Sequence, residues 1–168
     1  MAFEIEKMLD ETGWRLLEAL QENARLSYSE LGQRVNLSAP AVAERMRRLE
    51  EAGIITGYHA EVNLSKLGLS ITAIVRVGNT AGQSCQHTLA RIKAIPEVLE
   101  CYRVTGSDAV IARVAAGDAS HLERIIDQVS FYGPSTTSLV LSNSMSRRTI
   151  TPLLRERGAE EVEHVPTS

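Results

Sequence analysis

No run in the sequence approaches the roughly 18–20 apolar residues that cross a bilayer, and the opening Met-Ala-Phe-Glu-Ile-Glu-Lys lacks the apolar core of a secretory signal. A cytoplasmic protein with no membrane partner is the expectation. There are only two cysteines, Cys85 and Cys101; they lie 16 residues apart, match no metal or redox spacing, and read as reduced packing thiols. No GxGxxG or Walker loop, HExxH helix or nucleophile elbow occurs, and His59, His87, His121 and His164 are too scattered to form a ligand set. This reading therefore assigns no catalytic residue, no metal site and no cofactor.

Net positive charge is also missing. The chain of 168 residues carries a formal −3, which by itself argues against a phosphate-rich partner. The average hides a local pattern. Residues 1–24 hold two cations against six acids, whereas residues 25–48 hold Arg25, Arg34, Arg45, Arg47 and Arg48 against only Glu30 and Glu44. A chain of this length makes at most two small domains, and small domains gain from association with other copies.

The basic stretch coincides with a series of short helices. Asp10 caps a helix whose Leu16, Leu17 and Leu20 recur at helical spacing, with Leu9 stapled to Trp14. Ser27-Tyr28-Ser29-Glu30 reads as a capping box before a second helix, which Asn36 interrupts. Ser38 caps a third, with Pro40 in its first turn, Leu37 and Val42 as a staple, and Gly53 as its stop. Val42, Met46 and Leu49 form one stripe of this third helix and must face the other two. Pro40, Ala41, Glu44 and Arg48 lie opposite, and Arg45 and Arg47 flank the stripe, within reach of a phosphate or base edge. With Ser38 at its N-terminus, this helix suits a major groove. Ile54 to Tyr58 reads as the start of an extended wing. Periodicity alone does not separate such a domain from a three-helix assembly module.

The run LSAPAVAERMRRLEEAGIITGY, with its leucine-serine turn and RRLE ending, resembles the helix-turn-helix of the leucine-responsive regulatory protein/AsnC family, and LDETGWRLLEALQENARLSYSELGQRV is similar to the stretch before it. Gly13 departs from the aspartate common in that family, which bears on local helix stability. The resemblance implies a transcription regulator that binds double-stranded DNA, with Ser38, Pro40, Ala41, Glu44, Arg45, Arg47 and Arg48 as candidate contacts.

Beyond a connector at 61–70, the pattern changes. Ile71 to Val77 reads as a strand, Ser84 to Ile95 as a helix, Val98 to Thr105 and Ala109 to Ala115 as strands around a Gly106-Ser107-Asp108 turn, and Asp118 as the cap of a second helix. Thr136 to Leu141 is the last strand. The order βαββαβ is the ferredoxin-like unit. The fold class is thus α+β: a winged helix-turn-helix domain over 1–60, the connector, a ferredoxin-like effector and oligomerisation domain over 71–150, and a C-terminal tail over 151–168, polar and frayed from Arg155 to Ser168. Val98, Tyr102 and Val104 alternate with Leu99 and Cys101, and Leu139 and Leu141 with Val140. These strands are apolar on both faces, so a second copy of the sheet is the economical cover for the one without helices.

The segment PEVLECYRVTGSD also resembles the family, whose effector domain has this topology and dimerises sheet on sheet, often assembling further into tetramers or octamers. The resemblance implies an amino acid or related small molecule bound between subunits near the Gly106–Asp108 turn. There an amide beside Gly106 can approach a carboxylate, Asp108 can accept an ammonium, and Tyr102, Val104, Thr136 and Thr137 can complete the pocket. A glycine and an aspartate in a hairpin also serve backbone geometry alone. One enzyme alternative stands beside the regulator: the sirohaem decarboxylases share the two-domain architecture and use it for tetrapyrrole chemistry.

Overall fold

The computed structural model describes residues 2–79, 84–145 and 147–163; His164 lies outside the described residues. The chain divides into two compact units, Met1–Ala60 with Met145–Ser168, and Glu61–Ser144. No helix among the described residues is long and apolar enough to cross a membrane.

In the first unit a short helix α1 (Ala2–Met8), not expected from the sequence, precedes α2 (Glu11–Glu22), α3 (Tyr28–Val35) and α4 (Ala39–Glu51). The caps are those the sequence prescribes. Asp10 Oδ1 accepts from the Gly13 N–H at 2.7 Å, and Ser27 and Glu30 close a reciprocal capping box. The α2 stripe of Leu16, Ala19 and Leu20 packs on Leu31 and Val35 of α3 and on Val42 and Met46 of α4, with Leu26, Leu37 and Ile55 around the edge. Burying seven such side chains is the main source of stability for so small a unit, at about 1.5–3 kcal/mol for each large one. Gly13 has its own reason to be glycine: a Cβ there would collide with the Met8 carbonyl at the end of α1.

Two expectations for this unit change. After Gly53, with its positive φ of 68°, the Ile54 and Ile55 amides fold back onto the Leu49 carbonyl, and residues 54–60 have no strand partner among the described residues. The tail read as frayed from Arg155 is helical through Glu163: α7 (Pro152–Glu163) belongs to this unit, and 164–168 lie outside the described residues. Weak amphipathicity hid this helix, although Thr151-Pro152 is a helix-start signal.

In the second unit a 3₁₀ turn (Leu64–Leu67) leads into β1 (Ile71–Gly78), α5 (Cys85–Lys93), β2 (Val98–Arg103), β3 (Asp108–Ala116), α6 (Ala119–Ser130) and β4 (Ser135–Leu139). The sheet order is β2-β3-β1-β4 and every neighbouring pair is antiparallel, the ferredoxin-like topology. Ala73, Val75 and Val77 of β1 and Val110, Ala112, Val114 and Ala116 of β3 point to one face, where Ile92 of α5 and Leu122, Ile125 and Val129 of α6 cover them.

The opposite face is mixed rather than apolar. Its rows run Tyr102–Ile111–Arg76–Thr136 and Glu100–Arg113–Ile74–Ser138 across the four strands. A bulge at Leu99 breaks the alternation read from the sequence, so Val98 and Cys101, three apart, both pack on the helix-covered core. Leu141 lies beyond the end of β4 and is 95% exposed.

Candidate nucleic-acid interface and effector turn

The junction of α3 and α4 has the geometry of a helix-turn-helix. Asn36 takes the left-handed conformation (φ 56°, ψ 45°), and the Leu37 N–H donates to the Gly32 carbonyl at 3.0 Å. Gly32 permits the approach, because a Cβ there would run into the Leu37 carbonyl. Ser38 then caps α4, its hydroxyl accepting from the Ala41 N–H. Val42, Met46 and Leu49 are buried as expected, which leaves Pro40, Arg47 and Arg48 exposed and Ala41, Glu44 and Arg45 half-exposed.

The three arginines have different partners. Arg45 forms a two-pronged ion pair with the Asp10 carboxylate at 2.7 and 2.8 Å, tying α4 to the cap of α2. The Arg45 hydrogen bonds are the largest influence that lowers the Asp10 pKa. Glu44 accepts from Arg47 at 2.8 and 3.0 Å and from Arg48 at 2.8 Å, and those bonds pull its carboxyl down to about 2. Arg47 also pairs with Glu51. On the free protein, therefore, Arg47 and Arg48 sit on the exposed surface against Glu44 and Glu51, while Arg45 is engaged inside the domain. Two contacts escaped the sequence reading: the Arg15 guanidinium donates to the Arg34 carbonyl, and the Tyr58 hydroxyl donates to Glu50 at 2.8 Å. Burial, then that carboxylate, raises the Tyr58 pKa.

The second site lies at one end of the sheet. Gly106 has φ 109°, open space around it, and a neighbour in Asp108, which pairs with Gly78 at the start of β3. The Asn79 side chain donates to the carbonyls of Gly106 and Ser107 at 3.3 and 3.2 Å, bracing the turn. Asn79 was not legible beforehand, since 27 residues separate it from Gly106. The turn joins edge strand β2 to central strand β3. Val104 is half-buried beside it, its N–H donating to the Ala109 carbonyl.

The remaining candidates do not converge in one chain. Tyr102 and Thr136 share the helix-free face but stand on opposite edge strands, three strand spacings or about 14 Å apart. Thr137 pairs with Val75 and so points to the other face. The Tyr102 hydroxyl instead donates to Glu100 at 2.7 Å, and Arg113 pairs with the same carboxylate.

A helix-turn-helix beside a ligand-domain fold defines a class of DNA-binding regulator, and comparison with known proteins gives its family. Residues 9–56 match a model of winged helix-turn-helix DNA-binding domains, and residues 72–150 match the Lrp/AsnC ligand-binding domain. The HTH-type transcriptional regulator YezC of Bacillus subtilis is 39% identical over 136 residues, covering 81% of this chain and 96% of that protein. The structure of the Neisseria meningitidis transcriptional regulator NMB0573 in complex with L-methionine aligns with a TM-score of 0.79 at 29% identity, covering 88% of this chain and 99% of that one. The feast or famine regulatory protein of M. tuberculosis, complexed with L-methionine, aligns at 0.80 and 30% identity over 86% of this chain and 99% of that one. The chain belongs to the Lrp/AsnC family of transcription regulators.

Proposed function

We infer that this regulator reads double-stranded DNA with the exposed side of α4 and answers to an amino acid or related small molecule held at the 104–108 turn. It works in the cytoplasm as a dimer or higher assembly and carries no catalytic step. The observation behind this reading is the tight Gly32–Asn36–Leu37 turn, which presents α4 with Ser38 at its N-terminus and Arg47 and Arg48 outward. Ser38, Pro40 and Ala41 are the short side chains that let the helix end approach the backbone. Arg48 is the candidate for base readout, and Arg47 for phosphate.

For the effector, amides beside Gly106 suit a carboxylate and Asp108 an ammonium, with Val104 as an apolar wall. Tyr102, Thr136 and Thr137 join such a site only if a second copy brings one edge of its sheet to the turn of the first, which makes the pocket a property of the assembly. The L-methionine in the two solved relatives supports the amino-acid class. A genomic binding map supplies the operator and, through neighbouring genes, candidate metabolites. Calorimetric titration with amino acids then tests the turn. Asp108→Asn is expected to weaken an ammonium-bearing effector tenfold or more, about 1.4 kcal/mol or above, with basal operator affinity unchanged. Wild-type affinity in that variant would return Asp108 to a purely structural role.

A further inference from the structure

The segment from Met145 onward is part of the DNA-binding unit, although its first residues, to Ile150, fall within the matched ligand-binding model and the rest lies outside both models. Its attachment is specific. The Gln21 side-chain amide on α2 pairs with the backbone of Ile150 as a strand would: its Oε1 accepts from the Ile150 N–H at 2.9 Å, and its Nε2–H donates to the Ile150 carbonyl at 3.0 Å, 129 residues away. The same nitrogen donates to the Leu17 carbonyl, which fixes the amide on α2. Helix α7 starts at the next residue but one and adds an ion pair from Arg155 to Glu6 of α1. Trp14 and Glu18 of α2 line one side of an open groove of about 590 Å³, with Pro152 and Arg155 of α7 on the other. Trp14, Glu18 and Gln21 recur at helical spacing and are half-buried, although none belongs to the core stripe.

The consequence is one of connectivity. The chain leaves the DNA-binding unit after Ala60, builds the effector unit, and returns at Met145. The eight residues 56–63, which form no helix or strand, reach about 16 Å as a flexible connector, about half of the ~34 Å between half-sites one helical turn apart. One crossing alone would let the DNA-binding unit follow half-sites displaced by half a turn. A second crossing, anchored at a separate point on α2, removes most of that freedom. We propose that the C-terminal segment is a strap which, docked on the outer face of α2 through Gln21, makes the regulator selective for the spacing of its DNA half-sites. This rests on the DNA-binding and dimer readings given above.

The test compares the full chain, Gln21→Ala, and a chain ending at Arg148. Trp14, the only tryptophan, reports docking, and its emission is expected to shift red and quench more readily in the truncated chain. Duplexes enriched from random DNA by the full chain are then rebuilt with the half-sites moved by 2 to 6 base pairs. The full chain is expected to prefer its selected spacing about tenfold or more, and both variants to retain less than about a third of that preference, because a looser tether levels the effective concentration at the second half-site. Affinity for an isolated half-site is expected to be the same in all three, which separates loss of the strap from loss of folding. An unchanged spacing profile in the truncated chain would overturn the proposal, as would unchanged Trp14 emission. A full chain that enriches no duplex would instead defeat the DNA-binding reading and the proposal with it.

Discussion

Arginine in a helix-turn-helix invites assignment to DNA, but the structure sorts the arginines of α4 by what already holds them. Arg45 is about one-third exposed and forks onto Asp10, whose carboxylate also caps α2, so it links two helices of the fold. Arg45→Ala and Asp10→Asn are each expected to cost about 0.5–1 kcal/mol, solvent screening included, and to be non-additive together. Because the folded-state pKa of Asp10 is lowered, chiefly by Arg45, this contribution is present above the ordinary aspartate range and is lost as pH falls through the lowered value. Urea unfolding of wild type and Asp10→Asn at pH 7 and at pH 3 checks the sign: the gap narrows in acid. Arg47 and Arg48 behave differently, since they are more exposed than Arg45 and pair only with Glu44 and Glu51 of their own helix. Their alanine variants are expected to fold normally and to lower the salt slope of DNA binding by about one each. Glu44→Gln is expected to do the reverse on random DNA, raising affinity and slope by freeing both guanidiniums from a carboxylate, and filter binding between low and moderate salt reads each of these. The caps at Asp10, Ser27, Ser38 and Asp118 were legible because a cap and its amide lie three residues apart. The Asp10–Arg45 pair spans 35 residues, and one sequence holds no sign of it.

At the scale of the element, the α3–α4 turn depends on one missing methyl group. Gly32 sits inside a helix, where glycine is normally a liability, and is kept there by the Leu37 carbonyl passing across it. Gly32→Ala gains helix propensity and is still expected to destabilise the DNA-binding unit, by about 1–3 kcal/mol, because backbone rather than a flexible side chain must move. Thermal unfolding followed by Trp14 reads that unit directly, and a rise in its midpoint would show that the turn can open without cost. Hydrophobic period and turn residues made the three helices and the order of the sheet elements legible. The bulge at Leu99 was not, because a single extra residue is set by the pairing with β3 and leaves no mark in β2 itself. Helix α7 escaped for another reason: it is held by Gln21 and Glu6 on other helices rather than by an apolar stripe of its own.

For the whole molecule, the sheet face without helices is where the proposed dimer is expected to form. The sequence argument for a dimer rested on strands that are apolar on both sides, and part of that support, Leu139 to Leu141, falls at or beyond the end of β4. The structure moves the argument to the centre of the sheet. Ile74 of β1 and Ile111 of β3 lie half-buried on the open face, and beside them Arg113, Glu100 and Tyr102 satisfy one another. The Arg113 guanidinium is the first cause lowering the Glu100 pKa below the ordinary glutamate range, which favours the charged, paired carboxylate. An apolar centre flanked by an internally paired charge can be covered by a second sheet without leaving an ion alone, whereas an unpaired charge placed at the centre cannot. Ile74→Lys and Ile111→Lys each put one there, and two-fold symmetry would put two into the same interface. Neither side chain belongs to the core beneath the helices, so the monomer fold and its circular dichroism are expected to survive. Light scattering at micromolar concentration is expected to show a dimer or larger for wild type and a monomer for the double variant. Affinity for a two-half-site operator should then fall about a hundredfold or more, towards that of one half-site, since the second contact is no longer intramolecular. A double variant that stays dimeric and holds its operator as wild type does would place the interface elsewhere, at the exposed edges of β2 and β4.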